Sequence, residues 1–318
     1  METGWERTLP FVKVNRKIVE ELFKGVLEKN QIKEISIIDE GCRTTNYIVE
    51  SIFNKKYILK IFYEKSDSYK KEIKLFKELS GKIPVSYIYK FSRAEFLEKR
   101  EYIIYNYLEG QSLSSYIQRG NKIDSELAKQ AACILSSIHK NRYNKIGFLN
   151  ENLIIKQQLP PITEWYKMFM GKNAVRKLGE NLKEKILHIV NQKKGRLIEL
   201  KNSASLIHGD FQGTNILVKD NNISGILDWE FSMAGYPIAD IGQFFRYDNC
   251  FDNDLLQIFK CEYNKHSHYK LEEDWYKLAK LIDLVNLIQL LDKDAHMPNK
   301  DKDIIGIIRK SLNQLENM

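Results

Sequence analysis

One short β-rich stretch, set between long helical patterns, constrains this chain more than any other feature. Residues 206–231 read LIHGDFQGTNILV, a KDNN turn, and then ISGILDWEF. Two apolar, β-branched runs flanking an Asp/Asn-rich turn predict a pair of strands joined as a hairpin. A hairpin brings the loop before its first strand close to the residue after its second. Asp210 and Asn215, five residues apart in that loop, and Asp228, thirteen residues beyond Asn215, therefore converge at one end.

Such a trio suits phosphoryl transfer. Mg²⁺ is a hard ion that takes oxygen ligands, here Asn215 and Asp228, and keeps its other positions for water and phosphate oxygens. A carboxylate without a metal, Asp210, can accept a hydrogen bond from an attacking hydroxyl, orient it and take its proton late in the reaction.

The rest of the chain divides around this stretch. Residues 34–63 read as a strand, turn and strand meander (EISIIDEG, TNYIVES, KKYILKIFY), followed by a helix at 68–79 with Ile73, Phe76 and Leu79 at helical spacing. Gly81 and Pro84 stop that helix, and two more strands fit near 85–92 and 101–107. This order predicts a small α+β N-lobe over residues 1–107. After Glu109-Gly110, long helical patterns such as 125–140 and 274–291 predict a larger, mainly helical C-lobe over 108–318. In the second of these Trp275, Leu278, Ile282, Val285 and Ile288 form one apolar stripe, which reads as core packing.

The string HGDFQGTNILV…GILDWEFSMAGYPIADIGQFFR resembles the aminoglycoside phosphotransferase and choline kinase superfamily, relatives of the protein kinases. That resemblance implies a bilobal protein-kinase-like fold, with Asp210 as the catalytic carboxylate and Asn215 and Asp228 on Mg²⁺. It also implies a lysine on an N-lobe strand that reaches the α- and β-phosphates of ATP, held by a glutamate from the next helix. Lys60 in YILKIF and Glu72, twelve residues later, match those positions. The turn from Asp39 to Asn46, with Gly41, Thr44 and Thr45, resembles a nucleotide-positioning loop, although it has one glycine where protein kinases have several. EYIIYNYLEG resembles the hinge, so the Asn106 carbonyl and the Leu108 N–H are expected at the adenine edge and Tyr105 at the back of the pocket. A bulky Tyr105 favours ATP, with GTP used elsewhere in the superfamily. His208, His139 and Asp240 resemble structural supports. Glu230 is placed either to assist at the metal or to order its loop.

Composition narrows the partner. The net charge is +8, but residues 1–205 carry 38 Lys+Arg against 24 Asp+Glu, while residues 206–318 carry 12 against 18. A basic first part suits polyphosphate and an acidic last part suits a cationic acceptor, although solvated helix faces give the same count. No run of 18 apolar residues exists to span a bilayer, and the first residues lack the apolar stretch of a signal peptide. A cytoplasmic protein with no membrane or nucleic-acid partner is expected. Four scattered cysteines argue for reduced thiols, and Cys250 and Cys261 with His266 and His268 lack the paired spacing of zinc modules. The expected activity is phosphorylation of a hydroxyl on a small molecule, an antibiotic being one candidate. A choline or ethanolamine kinase, whose aromatic cage would draw on Trp165, Tyr166, Trp275 and Tyr276, is the nearest alternative. A noncatalytic pseudokinase or nucleic-acid binder is the second.

Overall fold

The computed structural model describes residues 4–39, 43–63 and 68–316. The N-terminal part contains α1 (Arg16–Leu22), β1 (Ile32–Ile38), β2 (Thr45–Ser51), β3 (Lys56–Ile61), α2 (Ser68–Leu79), β4 (Ile88–Ala94) and β5 (Arg100–Asn106). The strands form one antiparallel sheet in the order β1-β2-β3-β5-β4. Because side chains alternate across a strand, Tyr47, Val49, Leu59 and Ile61 face one way and pack with Val19, Leu22 and Phe23 of the α1 region. Lys60 faces the other way, toward α2. On α2 a buried carboxylate, Glu72, lies among Ile73, Leu75, Phe76 and Leu79. A charge is carried on an apolar helix face only when it has a partner.

The C-terminal part follows in the order β6 (Gln111–Ser112), α3 (Leu113–Gln118), α4 (Ser125–His139), β7 (Gly147–Leu149), β8 (Ile155–Gln158), α5 (Ile162–Phe169), α6 (Lys172–Leu178), α7 (Glu180–Gln192) and α8 (Lys194–Glu199). It continues with β9 (Ser205–Ile207), β10 (Ile216–Lys219), β11 (Asn222–Ile226), β12 (Met233–Gly235), α9 (Pro237–Phe244), α10 (Asn253–His266), α11 (Trp275–Leu291) and α12 (Pro298–Glu316). The expected hairpin is present as β10 and β11, with Ile216 opposite Ile226. Its turn places Asp220 and Asn221 at φ 48° and 58°, the left-handed conformation that a two-residue hairpin turn needs and that Asp and Asn tolerate. Residues 205–207 leave the hairpin and join a separate sheet, β8-β7-β12-β9.

Two features differ from the sequence reading. α11 is buried on nearly every side, including Lys280 and Asp283, so the single stripe understates it. It is the central helix of the C-lobe. The first residues also reach across to the C-lobe. Trp5 donates to Asp303 at 3.1 Å and Glu6 caps α12 by accepting from Asn299 N at 2.9 Å and Lys300 N at 3.2 Å, while Arg7 stays on the N-lobe and donates to the Thr44 carbonyl at 2.6 Å. No described helix is long and apolar enough to cross a membrane.

Candidate active site

The loop from His208 to Asn215 is held by one side of α9. Asp240 accepts from His208 N at 2.7 Å and from Gly209 N at 2.8 Å. Gln243 accepts from Phe211 N and donates to the Gly209 carbonyl, both at 2.9 Å. Arg246, just past the helix, donates to Gln212 at 2.6 Å and is itself fixed by the buried Asp283 at 2.7 and 2.9 Å. The spacing of three places these residues along one edge of the helix, so a single element sets the loop's backbone. Gly209 has φ +81°, and a Cβ there would stand 2.4 Å from the Phe231 carbonyl oxygen, so only glycine fits.

His208 is a support. Its Nε2 meets the Leu227 carbonyl at 2.9 Å and its Nδ1 accepts from Asp210 N at 3.2 Å. Burial pushes the imidazole below its ordinary value, favouring the neutral form, and its two hydrogen bonds select the Nε2–H tautomer. His139 is also buried and joins Asp240 to Tyr263 at 3.2 and 2.7 Å.

Asn215 donates its amide to the Asp210 carboxylate at 2.8 Å and to the Asp210 carbonyl at 2.9 Å. The Leu227 N–H bonds back to the Asn215 carbonyl at 2.8 Å, closing the hairpin's end. Asp228 follows in the left-handed region at φ 59°, an unfavourable conformation for a non-glycine residue that turns its carboxylate out of the strand. Asp210, Asn215 and Asp228 thus meet at one end of the hairpin.

Lys60 completes the cluster. Its ammonium lies 3.2 and 3.3 Å from the Glu72 oxygens and 3.0 Å from Asp228 Oδ1. Burial alone would lower its pKa, but Asp228 and Glu72 more than offset that and hold it well above the ordinary lysine value. Tyr105, expected as bulk at the back of the pocket, also donates its hydroxyl to Glu72 at 2.7 Å. The Leu108 N–H has no hydrogen-bond partner among the described residues.

Glu230 lies close behind. Burial, then the charge of Asp228, pushes its carboxyl up to about 7. Asp228 and Glu230 are near enough for their charges to interact, and carboxylate and amide oxygens are donors that fit a hard divalent cation. Lys71 ties α2 to this corner through the Glu230 carbonyl at 2.9 Å and the Ser232 carbonyl at 2.7 Å.

The positioning loop is arranged differently from expectation. Gly41 lies outside the described residues. Thr45 is fully buried and accepts from Val12 N at 2.9 Å, on the sheet face opposite Lys60. Strand parity puts Asn46, the cross-strand partner of Lys60, on the cleft face instead. Thr44 is buried with its carbonyl engaged by Arg7. The aromatic cage is also not assembled. Tyr166 and Trp275 are core residues, Tyr276 donates to Asp248, and Trp165 donates to the Pro160 carbonyl. Gln243, Arg246 and Lys71 were not singled out from the sequence, although Asp240, Gln243 and Arg246 recur every third residue. Beside Arg246 a recess of about 440 Å³ opens between residues 246–249 and α12.

A five-stranded lobe bearing a buried Lys–Glu pair, set over a helical lobe bearing Asp, Asn and Asp at a hairpin's end, defines a kinase-like small-molecule phosphotransferase. The chain belongs to the phosphotransferase enzyme family, whose model matches residues 34–275. No curated protein matches it by sequence. Among solved structures, its fold is similar to a GDP complex of an aminoglycoside 2′-phosphotransferase-IIIa mutant (TM-score 0.70, 14% identity, covering 95% of this chain and 98% of that one). It is also similar to a thermostable mutant of aminoglycoside phosphotransferase APH(4)-Ia with AMP-PNP and hygromycin B (0.67, 13%, 93% and 98%). A third is a putative aminoglycoside phosphotransferase from Ralstonia eutropha JMP134 (0.63, 14%, 96% and 99%).

Proposed function

We propose that the protein transfers the γ-phosphoryl group of ATP to a hydroxyl of a small, cationic molecule, with Mg²⁺ held by Asn215 and Asp228. The observation that carries this reading is the convergence of Asp210, Asn215, Asp228, Lys60 and Glu72 from four separate elements. Bound Mg²⁺ would neutralise charge on the phosphate oxygens. Lys60, kept charged by its partners, binds the nonbridging phosphate oxygens while Glu72 and Tyr105 fix its direction. Asp210 accepts a hydrogen bond from the acceptor hydroxyl and takes its proton as the bond to phosphorus forms. Asn215 fixes the rotamer of Asp210 by donating to Oδ2 at 2.8 Å.

Adenine would lie against the hinge, where the Asn106 carbonyl and the Leu108 N–H offer an acceptor and a donor. The solved neighbours hold AMP-PNP in one case and GDP in another, so both nucleotides belong in the test. The acidic balance of residues 206–318 supports a cationic acceptor, as do neighbours holding hygromycin B and kanamycin. An antibiotic-modifying role is one form of this activity. The core positions of Tyr166 and Trp275, and the hydrogen bonds that tie Trp165 to Pro160 and Tyr276 to Asp248, weigh against a choline cage. A coupled ADP- or GDP-release screen over aminoglycosides, macrolides, choline, ethanolamine, homoserine and sugars tests the proposal. Acceptor-dependent turnover that disappears in Asp210→Asn is expected; turnover unchanged in that variant contradicts it.

A further inference from the structure

Outside the cleft, one side-chain cluster has chemistry that phosphoryl transfer does not use. α4 and α10 pack together, and Cys133 from α4 meets Glu262 and His266 from α10. Cys133 Sγ is 3.6 Å from Glu262 Oε1, His266 Nε2 is 3.1 Å from the same oxygen, and all three donor atoms lie within 4.8 Å of one another. Spacing of four puts Glu262 and His266 on one face of α10. A tetrahedral zinc ion bound at about 2.3 Å by sulfur and about 2.0–2.1 Å by nitrogen and oxygen holds such donors roughly 3.3–3.6 Å apart. The two measured separations lie close to those edges.

The surroundings favour the same reading. Lys265 occupies the other carboxylate oxygen of Glu262 at 2.7 Å, which orients Oε1 toward the sulfur as an outer-shell partner does. His266 is exposed and Cys133 half-buried, so an ion has a path in. The cysteine and histidine pattern visible in the sequence is not gathered. His268 contacts Ser205 Oγ at 3.3 Å and Cys261 is exposed elsewhere on α10. Only His266 of that set enters the cluster.

We propose that Cys133, Glu262 and His266 form a three-ligand site for a zinc-class transition-metal ion, with water as the fourth ligand. Thiolate and imidazole donors select such an ion over Mg²⁺. Thiolate is the form that ligates such an ion, so binding releases the thiol proton to solvent. The site clasps the helix pair that carries Tyr263, next to Glu262, onto His139 and through it onto Asp240. The metal braces the catalytic loop from behind without touching substrate.

The test is a titration of the chelator-treated full chain with Co²⁺, followed by displacement with Zn²⁺. A near-ultraviolet thiolate-to-cobalt band that saturates and is bleached by Zn²⁺ is expected, with a raised thermal midpoint in Zn²⁺. Cys133→Ser should abolish the band, and His266→Gln, at an exposed position that tolerates change, should weaken Co²⁺ binding at least about tenfold. Cys250→Ser and Cys261→Ser should leave both unchanged. An oxygen-lined Mg²⁺ site gives no thiolate band, so occupancy of the cleft is not mistaken for this one. Absence of the band, its survival in Cys133→Ser, or unchanged affinity in His266→Gln overturns the proposal.

Discussion

Lys60 and Asp228, 168 positions apart in sequence, lie 3.0 Å from each other across the cleft. One ammonium thereby joins β3, α2 and the end of the hairpin. Lys60→Met should leave Glu72 and Asp228 without their counter-charge, at a cost of about 3 kcal/mol in unfolding free energy, and should raise the nucleotide KM. Lys60→Arg should restore charge but not activity, because a planar guanidinium cannot occupy the same point between two carboxylates. Urea unfolding and nucleotide titration of both variants check this.

Gln243 makes two hydrogen bonds to the backbone of the catalytic loop and touches no reacting atom. Gln243→Ala should strand the buried Phe211 N–H and destabilise the protein by about 2 kcal/mol. kcat should fall by about tenfold or more with a smaller change in nucleotide KM, since the loop that carries Asp210 loosens while Lys60 and the hinge do not. Asp240→Ala should lose stability and activity together, because its two acceptors hold the same loop.

Gly209 is required by both its φ and its closeness to the Phe231 carbonyl. Gly209→Ala should cost at least about 1–3 kcal/mol through backbone strain alone, with the clash added. Circular dichroism with a thermal scan measures it; a variant as stable as the parent contradicts the described loop.

Lys71 gives a pH signature. Burial lowers its pKa from 10.5 to about 8, with Glu72 and Glu230 opposing and Lys60 reinforcing the shift. Above about pH 8 the folded chain has released a proton that the unfolded chain still holds, so this group adds stability as pH rises toward 10.5. Below pH 8 both forms are charged and the contribution is flat. The stability difference between the parent and Lys71→Met should therefore grow between pH 8 and 10, measured by urea unfolding.

Much of the site was legible because it is local. Turn residues and two apolar runs announce the hairpin, and the hairpin alone brings Asp210, Asn215 and Asp228 together. Period-2 alternation puts Lys60 on the face opposite Leu59 and Ile61. The face that Thr45 takes is not legible locally, because its register is set by pairing with β3. The reach of residues 4–6 to α12 and the all-round burial of α11 are tertiary choices that no local pattern encodes. Gln243 and Arg246 left a readable trace, polar side chains at spacing three on an otherwise apolar helix, which signals a buried partner.

The division of labour between the two aspartates is the central claim, and steady-state kinetics with direct nucleotide binding measures it. Asp210→Asn should lower kcat by roughly 10²–10⁴ with nucleotide affinity and Mg²⁺ dependence intact, while Asp228→Ala should weaken Mg²⁺-nucleotide binding as well as turnover. Turnover within a few fold of the parent in Asp210→Asn, or unaltered Mg²⁺ dependence in Asp228→Ala, would contradict the assignment.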